Sequence, residues 1–132
     1  MKKLLADSDF LVGVFRKDDT NHTQSIVLLE QMKDTEVELW TSNLVQQESA
    51  TVISHRVGMD AVRIYVKKLV MDIQRFVKID EDLEKRAWKI FLIQTKKGCS
   101  FVDCANLAVV EKYKLDGILS FDDFYPKSLR LV

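Results

Sequence analysis

Leu4-Leu5-Ala6-Asp7-Ser8-Asp9-Phe10-Leu11-Val12 carries most of the weight in reading this chain. A short apolar run of strand length meets an acid–polar–acid triplet, and apolar residues then resume. Leu4 to Ser8 reads as a first strand and Asp9 to Arg16 as a short helix or turn. The polar break Lys17-Asp18-Asp19-Thr20-Asn21 follows. The same passage from strand to helix recurs downstream. Val37 to Thr41 reads as a strand before a helix over Asn43 to Arg56, and Arg75 to Ile79 as a strand before a helix over Asp80 to Lys96. Gly117 to Ser120 is a fourth strand, and Leu129 to Val132 offers a fifth at the edge. Further helices are expected over His22 to Lys33 (Ile26, Leu29 and Met32 near one face), Met59 to Met71 and Phe101 to Tyr113. Gly58 and Gly98 stand at helix stops. Strands alternating with crossover helices predict an α/β, three-layer sandwich: a central, mostly parallel sheet of four to five strands with helices on both faces. Ligands of such sheets sit outside the carboxyl ends of the strands.

The 132 residues fit one domain, residues 1–132. Hydrophobic residues at 47% and charged residues at 30% give an ordinary globular balance, which excludes a disordered chain. The formal net charge is zero, without the basic excess usual in a protein that coats nucleic acid non-specifically; any contact with nucleic acid is local, or a bound cation or partner corrects the charge. Cys99 and Cys104 form neither a disulfide framework nor a zinc pattern; both are read as reduced and buried, in a reducing compartment. Asp7 and Asp9 cut short the apolar N-terminus, and no run reaches the roughly 18 apolar residues of a spanning helix, so a cytoplasmic protein with no membrane contact is expected. His22 and His55 are expected at the surface. Trp40 and Trp88 are read as core or interface packing, and Val62, Tyr65, Val66 and Leu69 as core or a twofold interface.

Four acids stand in surroundings that do not suit a solvated carboxylate. Asp7 closes one apolar run and opens another, where a helix N-cap would also use it. Glu48 shares a helical stripe with Leu44 and Val52, four residues to either side; the structural alternative is a buried glutamate paired with an arginine. Asp103 lies in Ser100-Phe101-Val102-Asp103-Cys104-Ala105-Asn106-Leu107-Ala108, a helix start apolar most of the way round. Ser100 and Asp103 also have the spacing of a capping box, and both roles can coexist. Asp122, beside Asp123, follows the fourth strand, where turns often carry aspartate. Placed on a parallel sheet, all four come to one edge. Their mutual repulsion calls for something positive, and with no His or Cys cluster nearby the donors are hard oxygens that suit Mg²⁺ or Mn²⁺.

These residues resemble the motifs of PIN domains. Leu4 to Val12 resembles the first motif, Thr41-Ser42-Asn43-Leu44-Val45-Gln46-Gln47-Glu48 the second, Ser100 to Ala105 the third, and Gly117-Ile118-Leu119-Ser120-Phe121-Asp122 the fourth. In length the chain looks most like VapC-type toxins. The resemblance implies a Mg²⁺- or Mn²⁺-dependent endoribonuclease acting on RNA, usually a homodimer, inhibited by a cognate antitoxin. It implies metal ligation by Asp7, Glu48, Asp103 and Asp122, with Ser120 orienting a water or the phosphate. Asp9 stands where the family more often has Ser, Thr or Asn, and either adds a ligand or caps a helix. The fourth acid is Asp122 or Asp123; the spacing from Ser120 favours Asp122. Arg16, Lys17 and Lys127 are the expected grip on substrate. Two other readings stay open. Asp7-Ser8-Asp9 also resembles the start of haloacid-dehalogenase-type phosphatases, although Leu11 departs from that pattern and Glu48 has no place in it. A PIN-like or receiver-like binding module without catalysis is the other.

Overall fold

The computed structural model describes residues 1–131. In chain order its elements are β1 (Lys2–Ala6), α1 (Ser8–Phe15), α2 (His22–Lys33), β2 (Val37–Ser42), α3 (Asn43–Arg56), α4 (Met59–Asp72), β3 (Arg75–Val77), α5 (Glu81–Leu92), α6 (Phe101–Tyr113) and β4 (Gly117–Leu119). The strands form one sheet in the order β3-β2-β1-β4, every pair parallel. β1 is therefore central, and its side chains alternate between two cores as the period of a strand requires. Leu4 and Ala6 pack with Phe10, Val45, Ile53, Tyr65 and Leu69 on the face covered by α1, α3 and α4. Leu5 packs with Trp40, Leu83, Ala108, Val109 and Ile118 on the opposite face, under α5 and α6. Tyr65 and Leu69 are thus core, while Val62 and Val66 are half-buried and packed against the same cluster.

The six expected helices and the first four strands are present with local differences in their ends. β1 stops at Ala6, and Ser8 belongs to α1, because Asp7 caps that helix: its backbone is extended and its side chain accepts from the Ser8 N–H. β3 ends at Val77, since the Ile79 N–H donates to Asn43 Oδ1 at 2.8 Å instead of to a neighbouring strand. α5 ends at Leu92 rather than Lys96, and the chain turns through Gly98 at φ 104°, a conformation that favours glycine. The expected fifth strand is reduced to an isolated parallel bridge between Arg130 and Ile118; Val132 lies outside the described residues. His55 is exposed as expected, but His22 is half-buried with Nδ1 2.7 Å from the Gly13 carbonyl oxygen. Trp40 is buried, whereas Trp88 is half-exposed against Phe91 and Phe101. Cys104 is buried and Cys99 only partly so, both as free thiols.

Register fixes where the site falls. Ala6 pairs with Leu119, so the residues that follow β1 and β4 leave the sheet side by side, and the Asp7 N–H donates to the Leu119 carbonyl at 3.0 Å. The returning segment is held close to β4: a Cβ on Gly117 would stand 2.9 Å from the Leu129 carbonyl oxygen and 3.2 Å from Leu131. Backbone cannot give way as a flexible side chain can. Gly117→Ala is therefore expected to cost about 1–3 kcal/mol, the usual range for overpacking, read as a lowered urea midpoint at unchanged slope. An unchanged midpoint would show that the 129–131 segment does not pack on β4.

Candidate active site

Asp7 is almost completely buried, and its two carboxylate oxygens collect donors from four parts of the chain. Oδ1 accepts from the Ser8 N–H at 2.8 Å and from Asn106 Nδ2 at 3.1 Å. Oδ2 faces the Ser120 hydroxyl at 2.9 Å and the Tyr125 hydroxyl at 3.1 Å. Asp103 enters from α6. Its Oδ2 accepts from the Ser100 N–H at 3.0 Å while the Ser100 hydroxyl accepts from the Asp103 N–H, so the capping box is formed. This leaves Oδ1 directed at the Tyr125 hydroxyl, 3.2 Å away. Capping and site roles use different oxygens of one side chain. Glu48 is joined to the group through the Ser8 hydroxyl. Asp122 follows β4, with its N–H donating to Ser120 Oγ at 3.1 Å and its Oδ1 accepting from Phe124 N–H. Asp9 Oδ2 accepts from the Phe121 N–H at 2.9 Å and lies 3.3 Å from Ser120 Oγ.

The structure thus brings Asp7, Glu48, Asp103, Asp122, Ser120 and Asp9 to one rim. It does not bring Asp123, whose fully exposed carboxylate pairs with Arg130 at 2.8 Å. The stripe on α3 is also offset from its expected meaning. Val45, Ser49 and Ile53 are its buried face, while Leu44, Glu48 and Val52 form the half-buried flank, with Val52 lining a cleft beside Ser8 and Asp9. Glu48 has no arginine partner among the described residues, so the buried ion pair that would have explained it structurally is absent. Arg16 is consumed by a two-point contact with Asp18 and does not reach toward the rim as free charge.

Two site residues escaped the sequence reading. Asn106 lies one turn after Asp103 on α6, fully buried, and donates from Nδ2 to both Asp7 and Tyr125. A lone amide in a helix apolar all round was its signal. Tyr125 comes from the loop beyond Asp122, and nothing in its sequence setting marks it.

The rim is short of positive charge. Among the described residues, neither Asp7, Asp9, Glu48, Asp103 nor Asp122 has a Lys, Arg or His nitrogen within salt-bridge distance of its carboxylate. Ser120 and Tyr125 make four oxygen–oxygen contacts with carboxylates, yet each hydroxyl has one hydrogen to donate. Two of these contacts therefore need either a protonated acid or a cation in their place. Titration follows the same logic. Burial, helped by the charge of Glu48, pushes Asp7 above the usual carboxylate range. Burial, then the charges of Asp122 and Asp7, does the same to Asp103. Asp9 is raised to about 7 by burial and by Asp7. Burial and the two flanking carboxylates raise Tyr125, which stays a neutral phenol.

The donor set is hard oxygen throughout, and the Oδ1 atoms of Asp9 and Asn106 are buried without a hydrogen-bond partner. These features fit a divalent cation of the Mg²⁺ kind. In this conformation no group of three or more His, Cys, Asp or Glu side chains among the described residues is arranged around one ion position; the Ser120 and Tyr125 hydroxyls stand between the carboxylates.

A parallel α/β sheet whose strand ends gather uncompensated carboxylates defines the class. A family model described as PIN domain matches residues 4–127, nearly the whole chain, and the chain belongs to that family. The chain is similar to the 23S rRNA-specific endonuclease VapC20 of Mycobacterium tuberculosis, from two strains, with 29% identity over 82 residues. That match covers 62% of this chain and spans 63% of the relative's length. In fold it is similar to the crystal structure of Mycobacterium tuberculosis VapC20, a Sarcin-Ricin loop cleaving toxin, at TM-score 0.82 and 23% identity, covering 92% of this chain and 91% of that one. It also resembles FitAcB from Neisseria gonorrhoeae at TM-score 0.65 and 13% identity, over 90% and 87% of the two chains. Membership of the PIN family removes the haloacid-dehalogenase alternative. Asp7, both oxygens already engaged, is also poorly disposed to act as a nucleophile.

The raised acids set a pH dependence for the metal-free protein. An unfolded Asp9 titrates near 3.8 and the folded one near 7, so folding binds a proton between those values. The stability this contributes is complete below about pH 4 and is lost as pH rises through about 7. In EDTA, the native protein should lose more thermal stability between pH 5 and 7.5 than Asp9→Asn does. Equal losses, measured as Tm differences, would remove Asp9 as the source.

Proposed function

We propose that the chain is a divalent-metal-dependent endoribonuclease that hydrolyses RNA phosphodiester bonds, acting as the toxin of a toxin–antitoxin pair. The observation that carries the reading is the gathering of carboxylates at one strand-end rim with no protein cation among them. Asp7, Glu48, Asp103 and Asp122 would hold Mg²⁺ or Mn²⁺, with Asp9 as a further oxygen donor. When bound, the ion supplies Lewis-acid chemistry at a phosphodiester, acidifying water and screening phosphate charge. The chain's own residues prepare that position. Tyr125 and Asn106 fix the carboxylates of Asp7 and Asp103 relative to one another. Ser120, which accepts from the Asp122 N–H and is fully buried, stands between the carboxylates of Asp7 and Asp9 and would set their spacing; orienting water or a phosphate oxygen, as the motif implies, would need that hydroxyl to be uncovered.

The relative named above is described as a 23S rRNA-specific endonuclease, which makes a structured ribosomal RNA loop the first substrate to try. The reading brings with it a cognate antitoxin, a homodimer and a cytoplasmic location. Exposed apolar side chains support partner surfaces: Ile64, Val70 and Met71 on α4, and Trp88, Leu92 and Ile93 at the end of α5. No helix among the described residues is long and apolar enough to cross a membrane.

RNA cleavage assayed with Mg²⁺, Mn²⁺ and EDTA tests the reading. Activity should require the metal, and Asp103→Asn and Glu48→Gln should each lower kcat by more than about 100-fold, beyond what loss of a merely supporting partner costs. Tyr125→Phe, which leaves every carboxylate in place, should lose about 10–100-fold. Full activity in Asp103→Asn would remove the metal-site assignment. A folded protein that neither binds Mn²⁺ nor cleaves any RNA would be the non-catalytic module instead.

A further inference from the structure

The carboxylate rim lies between two clefts, and their charges differ. On the α1–α3 side the cleft is bounded by Asp9, Asp18, Asp19 and Arg56. Arg56 is spent on Asp19 at 2.9 Å, and Arg16 nearby is spent on Asp18. A polyanion gains nothing there, since each cation already has its carboxylate. On the other side a cleft of 510 Å³ opens between the α5–α6 loop and the residues after β4. Its walls carry Lys96 and Lys97 opposite Asp122 and Phe124. Both lysines are exposed, and neither has a carboxylate within salt-bridge distance among the described residues. Asp123, the acid at that mouth that could have neutralised them, is held by Arg130 instead. The early end of α5 at Leu92 is what places them here. Had the helix run on to Lys96, as its sequence predicts, Lys96 would sit on a helix flank and not in the wall beside Asp122.

We infer that Lys96 and Lys97 form the phosphate-binding lip of the substrate groove, holding two RNA backbone phosphates on the Asp122 side of the scissile bond. The inference rests on the ribonuclease reading and locates its substrate. It takes the place of Arg16, which is spent on Asp18, and leaves Lys17 and Lys127, exposed and without an ion pair among the described residues, as further cations of the grip. Free ammonium groups beside an otherwise anionic rim supply what a neutral protein lacks overall: local attraction for a polyanion, oriented toward one flank of the site. The lip contributes charge and no base recognition, so it affects RNA of any sequence.

The test uses a short fluorogenic RNA with Mn²⁺ for cleavage, and the same RNA with anisotropy in EDTA for binding. Lys96→Ala/Lys97→Ala should raise KM about tenfold with kcat within about twofold, and should flatten the plot of log Kd against log salt by about 1.4, the value for two lost phosphate contacts on a single strand. Lys96→Arg/Lys97→Arg should restore most of both. Lys2→Ala/Lys67→Ala, which removes equal charge away from the rim, should change neither. Cleavage by the native protein with KM and salt slope untouched in the alanine pair overturns the lip and leaves the nuclease reading standing. Lysine-dependent binding without cleavage overturns the nuclease reading and keeps the lip as an RNA site. An equal effect from the Lys2/Lys67 pair overturns the lip, because net charge alone would then explain the binding.

Discussion

The arrangement depends on a buried carboxylate at the point where the central strand becomes a helix. Isolated in an apolar interior, Asp7 would be prohibitively expensive to ionise. It is tolerated because its oxygens meet donors from its own helix, from α6, from the end of β4 and from the loop beyond it. The dependence runs both ways. The helix cap, the partner amide of Asn106, the Ser120 hydroxyl and the ring of Tyr125 all take their positions from the same group. The carboxylate is thus a joint of the fold whatever it would bind, and the geometry any reaction would use is fixed by packing on both faces of β1.

Much of this could be read from residue order, and the part that could not has a common reason. Asp7, Glu48, Asp103 and Asp122 stand out because each interrupts a local pattern: a strand's end, a helical stripe, a buried helix, a turn after a strand. The parallel sheet then follows from alternation, and with it the shared rim. Pattern failed where the folded backbone, and not local periodicity, decides what a side chain meets. Tyr125 looks like any aromatic in a loop, and only the assembled fold places its hydroxyl between Asp7 and Asp103. Glu48 drew attention for a slightly wrong reason: its stripe is the half-buried flank of α3, where Val52 both packs against the core and lines a cleft beside Ser8 and Asp9. Arg16 looked free because sequence alone does not show that Asp18, two residues on, folds back to it. Cations are the least readable residues here, since a charged side chain's partner is decided by loop geometry.

The architecture itself supplies some of the missing positive charge. In a parallel α/β sheet, strand C-termini and helix N-termini share one edge, so the donor ends of α1, α3 and α6 face the acids. Asp7 caps α1 and Asp103 lies in the first turn of α6, where partial positive charge favours a carboxylate. The magnitudes decide whether that suffices. A helix terminus stabilises a nearby anion by about 0.3–1 kcal/mol, and up to about 2 in favourable buried cases. Two carboxylates roughly 6 Å apart repel by about 3 kcal/mol at an effective dielectric near 20. Several such pairs meet at this rim, and each acid also bears its own desolvation. The helix dipoles therefore lose, which is why Asp7, Asp9 and Asp103 all titrate upward in the metal-free protein. A protein could have closed the gap with one lysine or arginine. Among the described residues this chain keeps those side chains elsewhere, so the rim carries repulsion that no protein cation offsets; on the proposed reading, that is the repulsion a metal ion facing a phosphate would offset.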